Sequence, residues 1–272
     1  MLSGTGNRQS ATGRPTPARA GRGAGAASRR SVGRAGSPSR PSPAFSGFPR
    51  DTVTFLRALA RNNNEEWLEA NRTRYEAALL TPARQCVVSV GEALHAEGCR
   101  VVADPRVNGS IFRIARDRRF RPDVPPYKTH LALLWWAEGV RMAQPSFYLQ
   151  INGTGVELGV GLPEIPRDRL PGFRRWLVEG DHADRFLAAM DMANLAGVEW
   201  TLRQLARPPL EFRGLSGARA EAVRYTGGWG GWTVEPHPAE LFTPEAPGWL
   251  VSKFQPLMPF WRVLSEGLAS SR

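Results

Sequence analysis

The sequence predicts a single α+β domain, an antiparallel sheet packed by N-terminal and C-terminal helices. Three observations carry that expectation. Apolar residues recur at spacings of three and four from Val53 to Leu94. The period drops to two between Phe112 and Val160, with Asn152-Gly153 set between two alternating runs. Helical spacing returns after Pro166. Strands that follow one another without intervening helices pair antiparallel.

Residues 1–44 precede that pattern and differ from it. They hold eight Arg and no acid, and only Met1, Leu2 and Val32 are large apolar residues. Such a segment buries too little surface to offset its ordering entropy, so it is expected to be a disordered Arg/Gly/Ala/Ser/Pro-rich tail. Residues 45–272 are expected to fold as the single domain.

Asp51 starts a helix whose apolar face is Val53, Phe55, Leu56 and Leu59. Asn62-Asn63-Asn64 breaks it, and Asn64 caps a second helix with Glu65 and Glu66 in the first turn. Trp67, Leu68, Asn71, Tyr75 and Leu79 line that helix. Thr81-Pro82 opens a third, buried along Val87, Val90 and Leu94 and stopped by Gly98. A strand is expected at Phe112–Asp117, with Phe112 and Ile114 on one face and Arg113, Ala115 and Asp117 on the other. Leu131–Trp136 is apolar on both faces and reads as a central strand. Phe147–Ile151 and Val156–Val160 form a hairpin across Asn152-Gly153. Helices follow at 166–179, 181–190 and 259–268. Thr226–Trp232, with four glycines, reads as a flexible loop.

Charge narrows the function classes. The chain carries 36 basic and 25 acidic residues, net +11. Outside the tail the balance is 28 against 25, and residues 104–130 alone hold seven bases and three acids. The folded part is therefore basic in one place, unlike a domain that coats nucleic acid across a face. Only two of the bases are lysines, Lys128 and Lys253. Two cysteines, Cys86 and Cys99, give no disulfide framework and no zinc-type pair. Four histidines show no metal-ligand spacing, so no metal and no cofactor are expected. The longest apolar run, Leu131–Ala137, is far short of a span, so no membrane partner is expected. The N-terminus lacks the apolar core of a secretory signal, and a cytoplasmic location follows as the expectation.

Two blocks, NNNEEWLEANRTRY (Asn62–Tyr75) and FRIARDRRFRPDVPPYKTH (Phe112–His130), resemble the uncharacterised family called domain of unknown function 2461. The second block carries the motif at Phe112, Arg113, Ile114, Arg116, Asp117, Arg119, Phe120, Asp123, Pro126, Tyr127 and Lys128. The resemblance runs from about Phe45 to Trp176, with a faint echo at Glu235–Leu241. Val124 stands where the family carries Lys, Leu68 where it carries Phe, and Glu65 where a basic residue is common. The resemblance implies a grouping and a motif, and no activity.

The cluster at 104–130 admits several chemistries. Arg113, Arg116, Arg119, Tyr127 and Lys128 suit a site that grips a phosphate or carboxylate, since guanidinium forks bind such groups bidentately and Lys adds a point charge. A phosphorylated small molecule is the expected partner. In a catalytic version Asp117 or Asp123 is general base and Lys128 or His130 general acid. In a structural version Asp117 and Asp123 pair with the arginines and hold the loop down. Nucleic acid is the alternative partner, reached through the basic tail. Glycines from Gly153 to Gly161 lie in a hairpin rather than before a helix, so they ease close packing and do not form a phosphate loop. Trp229 and Trp232 anchor their loop, with stacking on a base or sugar as the alternative.

Overall fold

The computed structural model describes residues 45–271. The expectation of a disordered tail at 1–44 lies outside the described residues. Between Asp51 and Ser270 the chain forms one α+β domain. Its helical first part is α1 (Asp51–Arg61), α2 (Glu65–Ala70), α3 (Arg72–Tyr75) and α4 (Thr81–Ala96). The strands are β1 (Val101–Val102), β2 (Leu131–Ala137), β3 (Ser146–Ile151), β4 (Val156–Leu162), β5 (Glu199–Gln204) and β6 (Tyr225–Val234). Between β4 and β5 lie α5 (Leu170–Val178) and α6 (His182–Leu195), and α7 (Gly217–Ala222) precedes β6. The chain ends on α8 (Ala246–Phe254) and α9 (Met258–Ser270). The sheet order is β1-β2-β3-β4-β6-β5, antiparallel throughout.

Asn64 caps α2 as expected, its Oδ1 accepting from the Trp67 N–H at 2.8 Å. The third helix has no separate start at Thr81. A π-turn at Glu76–Leu80 joins α3 to α4. Pro82 has no N–H to donate to the Ala78 carbonyl one turn back. The buried Thr52 hydroxyl of α1 donates to that carbonyl instead, at 2.6 Å.

The register sorts the strand residues onto two faces. One face carries Leu133, Trp135, Phe147, Leu149, Leu158 and Val160, all inside the main core. The helices pack here from both ends of the chain: Trp135 donates its indole N–H to the Val87 carbonyl of α4, and Phe147 lies against Phe254 of α8 and Trp261 of α9. The other face carries Leu134, Tyr148, Glu157, Gly159, Trp229 and Gly231.

Two local expectations need correction. Phe112–Asp117 is not a strand. Isolated bridges tie Ile111 to Leu133 and Ala115 to Tyr127, and the chain between them is irregular. Ile111 and Ile114 both enter the core, and Phe112 emerges on the opposite face of the sheet. Thr226–Trp232 is no flexible loop; it is the middle of β6, between β4 and β5. Its glycines are what the pairing requires: a Cβ on Gly231 would stand 2.2 Å from the Leu158 carbonyl oxygen of β4. The β3–β4 turn spans residues 152–155, with the Asn152 Oδ1 accepting from the N–H groups of Thr154 and Gly155 at 2.8 and 2.9 Å. The expected hairpin therefore forms, and since Asn152 and Gly153 have no positive φ it is closed by a side-chain-capped turn.

Candidate functional site

The site is assembled where the arm at residues 110–130 starts along the part of the β2 edge that the short β1 leaves uncovered. The Phe112 N–H donates to the Ala132 carbonyl at 3.0 Å, and the Leu134 N–H donates to the Ser110 carbonyl at 2.9 Å. Farther out the segment folds back on itself: Arg116 N–H donates to Pro126 and Lys128 N–H to Ile114, both at 2.8 Å. Asn63 pins this arm to the helical layer. Its amide donates to the Tyr127 carbonyl and accepts from the Tyr127 N–H, each at 2.9 Å.

Phe112 lines a cavity of about 290 Å³ on the sheet face that the helices leave open. Its other walls are Leu134 of β2, Tyr148 of β3, Glu157 of β4, Trp229 of β6, and Arg141 and Met142 from the β2–β3 connection. The Arg141 guanidinium lies over the Phe112 ring, 4.1 Å from its centroid. Its Nε and Nη2 are sealed from solvent without a hydrogen-bond partner. The Lys128 Nζ approaches the same ring at 5.5 Å. One aromatic ring thus carries two cations, an arrangement favoured by the ring's negative face and opposed by mutual repulsion.

The charges around that ring are unbalanced. Burial lowers the Lys128 pKa, and Arg116, Arg113 and Arg141 lower it further. None of these four cations makes an ion pair among the described residues. The nearby carboxylates are engaged locally. Asp104 takes the Arg106 fork, with a 2.7 Å closest contact, and Asp117 takes the Arg119 fork, with a 2.6 Å contact. Burial also holds Arg141 below the usual guanidinium range, and Asp104 is the carboxylate that partly offsets this. Burial, then Lys128 and Arg116, push His130 down to about 4, so its ring is neutral at neutral pH.

The expected site residues divide into two groups. Lys128, Arg113, Arg116 and His130 sit close enough to shape one another's charge. Arg119, Asp117 and Asp123 lie at the exposed end of the arm. There Arg118 donates to the Pro122 carbonyl, and Asp123 makes no ion pair among the described residues. The Tyr127 ring lies elsewhere, in a depression shared with Glu65, Glu66, Glu69 and Arg72. Asp117 and Asp123 are not a buried network holding the loop down, because both are exposed and Asp117 pairs only with its neighbour two residues on.

A model of the conserved hypothetical protein family DUF2461 matches residues 51–257. The chain belongs to that family. The match runs well past Trp176, where the sequence resemblance was expected to fade, and takes in β5, β6 and α8. No curated protein and no solved structure matches the chain.

In this DUF2461 member, two walls of the cavity carried little signal in the sequence. Arg141 is the one basic residue in a short connection, eleven residues past the end of the arginine-rich block. Glu157 alternates with apolar residues and reads as an ordinary outward-facing position. It accepts from the Gln150 amide at 2.8 Å, and the Tyr148 hydroxyl donates to the Gln150 carbonyl oxygen at 2.7 Å. Burial pushes the Tyr148 hydroxyl up, so it remains a protonated donor. Among the described residues no group of His, Cys, Asp and Glu is arranged to hold a metal, and no helix is long and apolar enough to cross a membrane.

Proposed function

We propose that this protein binds a small anionic ligand, a phosphorylated one by preference, in the cavity walled by Phe112 and Arg141. The observation that supports this most strongly is the Arg141 guanidinium, sealed on two nitrogens, unpartnered, and stacked on Phe112 beside a lysine of lowered pKa. Arg141 and Lys128 make no ion pair and are held partly out of water, at an electrostatic cost that an incoming anion relieves. Arg141, the cation in the cavity wall, makes the direct contact. Lys128, near the same Phe112 ring, and Arg113 and Arg116 beside it raise the local potential. The volume lies near the lower end of the roughly 300–1,000 Å³ typical of small-molecule sites, which favours a metabolite over a polymer.

The test is a thermal-shift series on the full chain with sulfate, phosphate and organic phosphates, run beside Arg141→Gln and Lys128→Met. An anion-dependent rise in Tm that both variants lose supports the reading. Equal rises in all three proteins, or none in the native chain, overturn it.

A second reading, nucleic-acid binding, draws on a different observation. Phe120 at the end of the arm is 90% exposed, with Arg118, Arg119 and Arg121 beside it. An exposed aromatic ring among arginines suits base stacking and phosphate contact. Oligonucleotide binding that weakens steeply with salt and is lost in Phe120→Ala favours this reading, and insensitivity to that substitution contradicts it.

A further inference from the structure

The cavity does not end at Trp229. Tyr148, Glu157 and Trp229 also wall a second depression of about 190 Å³, which runs across the same face toward β5. The register defines its floor. Tyr148 pairs with Gly159, Gly159 with Gly231, and Gly231 with Glu199. The two central positions of this four-strand row have no side chain. At a strand spacing of about 4.8 Å the row is roughly 14 Å long, with a bare middle. The neighbouring row on one side holds Gly161, Trp229 and Thr201, and on the other side Glu157 and Thr233. The result is a flat, side-chain-free trough with an aromatic wall. Tyr148 and Trp229, with ring centroids 5.4 Å apart, separate it from the cationic cavity.

The strand geometry itself forbids filling this floor. A Cβ on Gly159 would lie 2.3 Å from the Gly230 carbonyl oxygen. Around the bare floor the polar groups change character. The cavity end offers Arg141, which is a donor only, with Lys128 near the same Phe112 ring. The trough end offers the carboxylates of Glu157 and Glu199, which accept, and the hydroxyls of Thr201 and Thr233. Gln150 and Asn152 draw the Glu157 carboxylate toward the β3–β4 turn, at 2.8 and 3.4 Å. A ligand matched to this surface has an anionic head at one end and hydroxyl donors at the other, with a ring between them.

We infer that the trough is the second half of the binding site and takes a hydroxyl-bearing ring joined to the phosphate, as in a sugar phosphate or a nucleoside monophosphate. The ring lies flat over Gly159 and Gly231 with an edge against Trp229. Its hydroxyls donate to Glu157 and Glu199, and the phosphate reaches Arg141. This inference rests on the anion reading above, and its test separates the two.

The experiment is a calorimetric titration of the full chain with inorganic phosphate, a hexose phosphate, a nucleoside 5′-monophosphate and glycerol phosphate. Glu199→Gln, on the exposed edge strand, and Trp229→Leu are titrated with the same four. One ring phosphate is expected to bind at least about tenfold more tightly than inorganic phosphate and glycerol phosphate, as a stacking contact and a charged hydrogen bond supply. Its identity distinguishes sugar from nucleoside. In Glu199→Gln the ratio of ring-phosphate to inorganic-phosphate affinity should fall severalfold, and Trp229→Leu should act in the same direction. Equal binding of all four ligands by the native chain overturns the trough and leaves the anion site standing. A ring preference retained in full by Glu199→Gln, with Trp229→Leu folded and equally selective, also overturns it. Binding of none overturns both.

Discussion

Arg141 is the residue on which the site depends, because its cost in the empty protein is its value to a ligand. Hydrogen bonds between charged partners contribute about 1.5–3 kcal/mol. Arg141→Gln should therefore weaken phosphate binding roughly 10- to 100-fold in a titration, while relief of the unpaired charge leaves Tm equal or higher. Lys128 supplies a pH signature. Its pKa is lowered by burial and by three guanidinium groups, so its charge is lost at lower pH than an ordinary lysine's. Sulfate does not titrate near neutrality, and its affinity should fall with rising pH earlier in the native chain than in Lys128→Arg. His130 gives a stability signature of definite sign. Its folded value, about 4, lies below the unfolded 6.5, so in that window the unfolded chain binds more protons and stability falls as pH falls. The Tm advantage of His130→Gln over the native chain should open between pH 6.5 and about 4 and be constant below.

The segments that position these residues were legible in the sequence to different degrees. Helices α1, α2 and α4 and strands β2, β3 and β4 follow directly from apolar spacing, because each buries one face or both against a partner. The arm does not. Alternation at Phe112–Asp117 suggests a strand, but most of the arm lacks a second partner strand, and only short bridges form. The irregularity brings Ile114 into the core beside Ile111 and leaves Phe112 on the opposite face, where it lines the cavity. Strand β6 was hidden for the opposite reason. Its glycines lower strand propensity, and only the close approach of the flanking strands requires them, β4 at Gly231 and β5 at Gly228 and Gly230. Asn63 reads as part of a turn, yet it clamps Tyr127 from 64 residues away. Asn63→Ala should speed hydrogen exchange at the Tyr127 amide and weaken anion binding with little change in the helices. Thr52→Val should cost about 1–3 kcal/mol in urea unfolding, because it leaves the Ala78 carbonyl buried without a donor.

Over the whole molecule, a net +11 overstates the basicity of the fold, which concentrates its surplus along one arm and one cavity rim. The arginine-rich block suggested a site from the sequence, and Arg113 and Arg116 lie near enough to Lys128 to act on its charge. The residues that shape the cavity, Arg141, Tyr148, Glu157 and Trp229, come from three strands and a connection brought together only by sheet pairing. Arg118 and Arg119 have local partners. Asp117→Asn, at the exposed end of the arm, should leave Tm nearly unchanged, since solvent-exposed pairs contribute little. A large loss of Tm would restore the structural reading of the cluster. The proposed anion site lies against Arg141 in the cavity lined by Phe112. The most direct measurement is the crystal structure of the full chain soaked with tungstate, whose anomalous signal locates the ion. A peak in the cavity within hydrogen-bonding distance of the Arg141 guanidinium is the predicted result. A peak only among Arg118, Arg119 and Arg121 at the end of the arm, or no ordered ion in the cavity at saturating tungstate, would contradict the account.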